Sequence, residues 1–287
     1  MFESIKAGWK LTKVSFSMLM EEKKLLIFPF LSAIFSILLL IGFFAPFIIT
    51  GVLSINPDTE QLGNILYLVV LFAFYLGTSF LAIFFNVALV HSVKVRIEGQ
   101  GESLGASVSF AFSRFGVILQ WAILSAIVGV ILNMIESAAR KAKGIGPLLL
   151  GILRGIIGLA WGLLTFFIIP VLVYQNLGVV DTIKKSGETL KNTWKEALFI
   201  GFSTSLIFGI LFLIWVIIGA IAVIFAFTIQ PIIGILVGLF FLFGFLVIIL
   251  IQSAIGQIYK TLLYLYADQG VLPPGFSEAE VQNLFRK

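Results

Sequence analysis

The sequence predicts an all-α integral membrane protein with six transmembrane helices, built as three repeats of an amphipathic helix followed by a transmembrane hairpin. Three observations carry this reading. The 287 residues are 60% hydrophobic and only 11% charged, whereas soluble chains carry roughly 25% charged residues. The apolar residues form six blocks, near 25–49, 65–90, 116–135, 148–175, 198–227 and 232–258, each long enough for about 30 Å of hydrocarbon. The segments before the first, third and fifth blocks share one spacing pattern. Helices are the expected spanning form, because backbone groups in lipid must be paired within the segment and no alternating barrel pattern is present.

The first amphipathic segment places Ile5, Trp9, Thr12 and Phe16 at i, i+4, i+7 and i+11, beside Lys6, Lys10 and Lys13. That spacing puts the four on one helical face. A helix of this kind lies in the headgroup region with its lysine stems snorkelling outward, so Lys6, Lys10, Lys13 and Trp9 are candidate lipid-headgroup contacts. The same pattern also suits a connector packed on the ends of the spans. The first apolar block follows 24 such residues and is too long for a secretory signal, so it is expected to remain in the mature protein. Pro46 falls inside it, where a missing donor favours a kink.

An acidic loop with Asp58 and Glu60 leads to the second block, which contains Thr78, Ser79 and Asn86 and ends near His91. The only histidine has no second ligand nearby, and a structural role is expected. The second amphipathic segment repeats the spacing with Leu104, Val108, Ala111 and Phe115. The third block carries Gln120, Ser125 and Asn133 and ends at Glu136; Arg154 stands at the start of the fourth, so these two are a candidate ion pair. The loop between them holds Arg140, Lys141 and Lys143. It reads either as a basic rim or as a third helix prolonged beyond the membrane.

In the fourth block Gly151, Gly155, Gly158 and Gly162 share a face, as do Gly201, Ser205 and Gly209 in the fifth. Small-residue faces of this kind allow close helix packing; a groove for a lipid chain is the alternative. Thr165, Pro170 and Gln175 close the fourth block. The third amphipathic segment contains Ile183, Gly187, Leu190 and Trp194, with Glu188 and the candidate headgroup contacts Lys184, Lys191 and Lys195. A tight Thr228-Ile229-Gln230-Pro231 turn separates the last two blocks, and Gln252 and Gln257 lie late in the sixth. Turns at Asp268-Gln269-Gly270 and Pro273-Pro274-Gly275 precede a short helix over 277–287, marked by capping-box spacing of Ser277 and Glu280 and by Phe276 and Val281 at the staple positions. Val281, Leu284 and Phe285 give that helix an apolar edge.

The whole is one membrane domain, 1–287, with repeat units of about 1–90, 91–175 and 176–266. Arg and Lys accumulate in cytoplasmic loops. Fifteen of the nineteen basic residues lie on the side of the termini, and the exceptions are Arg140, Lys141, Lys143 and Arg154. Both termini are therefore placed in the cytoplasm, and the protein in the cell membrane. The net charge of +5 is distributed beside the spans, which favours anionic lipid headgroups over nucleic acid.

No cysteine is present, which excludes disulfides, thiolate metal sites and a cysteine nucleophile. No phosphate loop, nucleophile elbow or paired carboxylates occur, and no ionisable group falls at the middle of a span. Catalytic residues, metal and cofactor are each expected to be none. The stretches WGLLTFFIIPVLVYQNLGVVDTIKKSGETLKNTWKEA, from Trp161, and SIKAGWKLTKVSFSMLMEEKKLLIFPFLSAI, at the amino terminus, resemble an uncharacterised prokaryotic family of polytopic membrane proteins. More distantly they are similar to the membrane domain beside some glycerophosphodiester phosphodiesterases. The telling positions are Trp161, Pro170, Asp181 to Ser186 and Lys191 to Trp194; Lys195 stands where Gly is common. The resemblance implies membrane architecture and no catalytic residue. The expected function is a non-enzymatic, lipid-interacting scaffold or accessory subunit, open to protein partners or self-association. The alternatives are a transporter or lipid-translocating protein using a glycine-lined apolar path and, third, an intramembrane enzyme.

Overall fold

The structure, a computed structural model, describes the backbone of residues 2–50, 60–101 and 103–277 and, within it, the side chains of 8–45, 67–101, 103–191, 193 and 204–277. The loop around Asp58 and, of the helix expected over 277–287, residues 278–287 lie outside the described residues. Every regular element among the described residues is helical: α1 (Phe2–Glu21), a 3-10 turn (Lys23–Leu26), α2 (Ile27–Thr50), α3 (Glu60–Ile97), α4 (Leu104–Ser113), α5 (Phe115–Lys141), α6 (Gly146–Leu164), α7 (Ile168–Tyr174), α8 (Val179–Ile229) and α9 (Pro231–Gln269). Among the described residues six stretches are long and apolar enough to cross a membrane: Lys23–Ala45, Tyr67–Ile97, Phe115–Lys141, Gly146–Tyr174, Thr204–Ile229 and Pro231–Gln269. The chain is thus a multi-span membrane protein, and the six sequence blocks coincide with these helices.

The chain divides into two compact units, residues 27–190 and residues 1–26 with 191–287. These boundaries differ from those of the sequence repeats. In the 27–190 unit α3 is central, touching α2, α4, α5 and α7, while α5 carries α6 on its other side. Its core sits at one end: Phe84, Phe85 and Val87 to Val90 of α3, Ile118, Trp121 and Ala122 of α5, Ile168 and Val171 to Val173 of α7, and Leu190 are buried. The far portions of α5 and α6 expose Ile127, Ile131, Ile152, Ile156 and Leu159, which suits a surface meeting lipid. No residue of α6 is buried.

Two local features shape this unit. α5 continues as helix to Lys141 before the turn at Gly144 (φ +61°), so the basic residues Arg140 and Lys141 belong to a prolonged helix. The fourth span is also interrupted, because α6 ends at Leu164 and α7 begins at Ile168. Pro170 has no N–H to offer the carbonyl four residues earlier, so the opening turn of a helix accommodates it at least cost. The short α7 places it there.

In the other unit, the Gln230 turn joins α8 and α9 with Pro231 at the first helical position, where its missing donor costs nothing. α8 is non-helical at Thr193 (φ −128°, ψ 16°). α9, 39 residues long, extends about 58 Å at 1.5 Å per residue, well beyond the hydrocarbon. Its first half exposes Ile232, Leu236, Leu239, Phe240 and Phe243, whereas Ala254, Ile255, Ile258 and Leu262 to Leu265 are buried, where α1 and the 3-10 turn pack on it.

Candidate membrane-interface site

α1 has two apolar faces with different destinations. Leu11, Thr12, Ser15, Met18 and Leu19 are buried, with Gly8 beside them, and this face meets α9. Thr12 Oγ1 donates to the Gly8 carbonyl (2.8 Å) and lies 2.8 Å from Thr204 Oγ1 of α8. Trp9 and Phe16 face outward instead, 46% and 45% exposed. The buried face is therefore rotated from the one expected, and Thr12 alone of the described residues in that stripe is covered. The physical reason is that small and hydroxylated residues permit close approach between helices, while bulky aromatics are left on the outer edge.

The lysines divide in the same way. Lys13 Nζ lies 5.4 Å from the Trp9 ring, one turn along the exposed edge. Lys10 Nζ instead lies 4.6 Å over the ring of Phe276 in the segment after α9. Gly270 (φ +69°) ends α9 and Gly275 (φ +76°) turns the chain, left-handed conformations that glycine accepts without strain. Lys6 is described by its backbone alone.

α4 and the start of α8 show comparable two-faced placement. Ser107 and Ala111 of α4 are buried. The Ser107 hydroxyl is 3.1 Å from His91 Nδ1, and the His91 ring stacks on Phe110 at 4.1 Å. His91 thus serves an α3–α4 contact, and no cluster of metal-binding side chains occurs among the described residues. Phe112 and Phe115 are 60% and 44% exposed. At the start of α8, Thr182, Ser186, Thr189 and Leu190 are buried. Lys184 and Lys191 are exposed, Lys184 being 3.6 Å from Asp181. The side chains of Trp194 and Lys195 fall outside the described residues.

Ser186 has a second task. Its hydroxyl accepts the backbone N–H of Phe167 at 3.2 Å, and both residues are fully buried. The interruption between α6 and α7 releases backbone groups that need partners in a dry environment, and Ser186 supplies one. Trp161 stands near Trp121, with ring centres 6.3 Å apart, so the resemblance motif marks a packed junction. A family model matches residues 65–273. The chain belongs to a family of unknown function (DUF6159). No curated protein and no solved structure matches it. The junction of α6, α7 and α8 lies wholly inside the matched region.

The glycines singled out by spacing do not pack within the described residues. A methyl group on Gly151, Gly155, Gly158, Gly162 or Gly209 would meet nothing within 4 Å, and Ser205 is exposed; the surroundings of Gly201 are not described. Close approach occurs at other glycines. An added methyl would meet Leu39 at Gly77, Tyr75 at Gly129 (3.2 Å), Phe241 at Gly219 (2.8 Å), Phe227 at Gly234 (2.5 Å) and Trp215 at Gly244. The signal for the last three is the Gln230 turn: in a tight hairpin, residues equally far from the turn face each other, which pairs glycines with aromatics.

At the opposite end of the 27–190 unit, Glu136 joins two arginines. Arg154 Nη2 is 3.1 Å from its Oε2, and Arg140 Nη1 is 2.8 Å from its Oε1. Arg140 also donates to the Ser137 hydroxyl at 3.4 Å. The candidate pair of the sequence is formed, with Arg140 added one helical turn away.

Proposed function

We propose that this is a non-enzymatic membrane protein whose interfacial helices, α1, α4 and the start of α8, seat the spans on an anionic cytoplasmic leaflet, in the manner of a lipid-contacting scaffold. The observation that carries this is the double face of α1. One face is occupied by its own unit, while Trp9 and Phe16 remain outside with Lys13 beside them. Interfacial aromatics favour the headgroup level, and each lysine near an acidic leaflet contributes about 1 kcal/mol.

The threefold repeat and its orientation belong to the same proposal. Thr12, Ala111 and Leu190 hold equivalent places in the three stripes, and all are buried. The residues four positions earlier are Gly8, Ser107 and Ser186, also buried. Ser107 and Ser186 each tether the interfacial helix to the second span of the hairpin before it, through His91 and Phe167. In the first stripe a glycine, Gly8, takes that place. Phe16 and Phe115, equivalent at the far end of the stripe, are exposed to nearly the same degree, 45% and 44%. In this reading α1, α4, the start of α8 and the segment after α9 share one side of the membrane, as an even number of crossings between them allows.

Fluorescence quenching tests the proposal. In full-length protein a Phe16→Cys variant is labelled with a small fluorophore and reconstituted in nanodiscs with nitroxide lipids. Quenching strongest from a nitroxide near the headgroup, and stronger in anionic than in zwitterionic discs, is expected. Absence of quenching at every nitroxide depth refutes interfacial docking, and equal quenching in both lipids refutes the preference for acidic leaflets.

A further inference from the structure

The hairpin of α5 and α6 carries an imbalance of charge in an apolar setting. Between Phe115 and Tyr174 the sequence has one carboxylate, Glu136, against Arg140, Lys141, Lys143 and Arg154. Lys141 and Lys143 occupy the tip, but Arg154 is eight residues into α6 and Glu136 five before the end of α5. At 1.5 Å per residue these positions are about 12 Å and 8 Å from the helix ends. Their exposed sequence neighbours are Met134, Leu149, Leu153 and Ile156, the side chains expected where acyl chains begin. The arginine side chains are 63% and 50% exposed, and each spends one N–H group on the carboxylate. A guanidinium has five such donors in a planar fork suited to phosphate.

We propose that Arg140 and Arg154 together bind the phosphate of a phospholipid in the leaflet opposite α4, with Glu136 aligning the two guanidiniums. The carboxylate bridges them by separate oxygens, Oε1 to Arg140 and Oε2 to Arg154. It cancels one of the two positive charges and leaves a net cation facing lipid. An anionic phosphodiester supplies the missing charge and accepts the remaining N–H groups, and its acyl chains lie against the apolar neighbours. The site is separate from the α1 edge and shares with that reading only the membrane-spanning assignment.

Native mass spectrometry of the detergent-purified full-length protein tests this. The protein is exchanged with phosphatidylglycerol or with a galactosyl diacylglycerol of the same chains, which lacks phosphate. The native chain is expected to retain phosphatidylglycerol and lose the galactolipid. R140Q/R154Q is expected to lower phosphatidylglycerol retention by roughly tenfold or more, and Glu136→Gln, which keeps both arginines but has a single acceptor oxygen to align them, to lower it less. Undiminished retention in R140Q/R154Q, equal retention of the galactolipid, or displacement by millimolar inorganic phosphate overturns the proposal, the last pointing to a free-anion site. If R140Q/R154Q does not fold, R140K/R154K decides, since lysines can keep the contact with Glu136 but not the forked grip. Undiminished phosphatidylglycerol retention in that variant overturns the proposal, and a clear loss supports it.

Discussion

The indole of Trp215 on α8 seats in the notch left by Gly244 on α9, and its Nε1–H donates to the Phe241 carbonyl at 2.8 Å. Lipid is as apolar as a side chain, so helices in a bilayer associate through fit and hydrogen bonds more than through hydrophobic transfer. A large ring over a missing side chain supplies the fit, and the ring N–H supplies the bond.

Gly244→Leu is therefore expected to destabilise the protein by about 1–3 kcal/mol through overpacking, whereas Gly155→Leu, which meets open space, leaves stability within about 0.5 kcal/mol. Thermal unfolding in detergent compares the two. A Gly155→Leu protein that melts as early as Gly244→Leu would show that the α6 stripe does pack in solution.

Ser186→Ala removes the hydroxyl that receives the Phe167 N–H at a buried helix break. The expected cost is about 1–3 kcal/mol, the usual penalty for a buried donor that loses its acceptor. Hydrogen exchange locates the effect, and faster exchange is expected around residues 165–168. Unchanged protection there would mean that the hydroxyl contributes nothing to the break.

Thr12 and Thr204 form a buried pair of hydroxyls. Thr12→Val takes the acceptor from the Thr204 hydroxyl and is expected to cost about 1 kcal/mol; Thr204→Val costs less, since the Thr12 hydroxyl keeps its bond to the Gly8 carbonyl, and the double replacement costs less than the two singles together. A double-mutant cycle on thermal stability reads the coupling directly. Strict additivity would remove the contact between α1 and α8 from the account.

Cysteine replacements at Lys143, Arg96 and Lys191 report topology without background, since the native chain has no cysteine. An impermeant thiol reagent on intact cells is expected to label position 143 and to reach 96 and 191 only after permeabilisation. Labelling of 96 and 191 alone would invert the orientation.

The number of spans, the Gln230 turn and the pairing of Glu136 with Arg154 were all legible in the sequence, because each rests on local composition or on helix ends. The packing faces were not. In a soluble protein an apolar stripe such as Trp9 and Phe16 points inward, but beside a bilayer an outward stripe also avoids water, so periodicity alone leaves the direction open. The α6 glycines mislead for a related reason: spacing records that a face is bare, and only a partner elsewhere in the chain decides whether it is filled. The partners of Gly219, Gly234 and Gly244 come from the opposite arm of a hairpin. The break before α7 was visible only as Pro170, whose consequence depends on Ser186, far along the chain.

The α8–α9 hairpin has no slack. One residue, Gln230, separates the helices, and Trp215 in the Gly244 notch and Phe227 against Gly234 lock them at separate levels. Neither helix can slide along the other without emptying both notches. Any change of tilt in one helix is therefore expected to carry the other with it, so that the hairpin behaves as a single stiff rod.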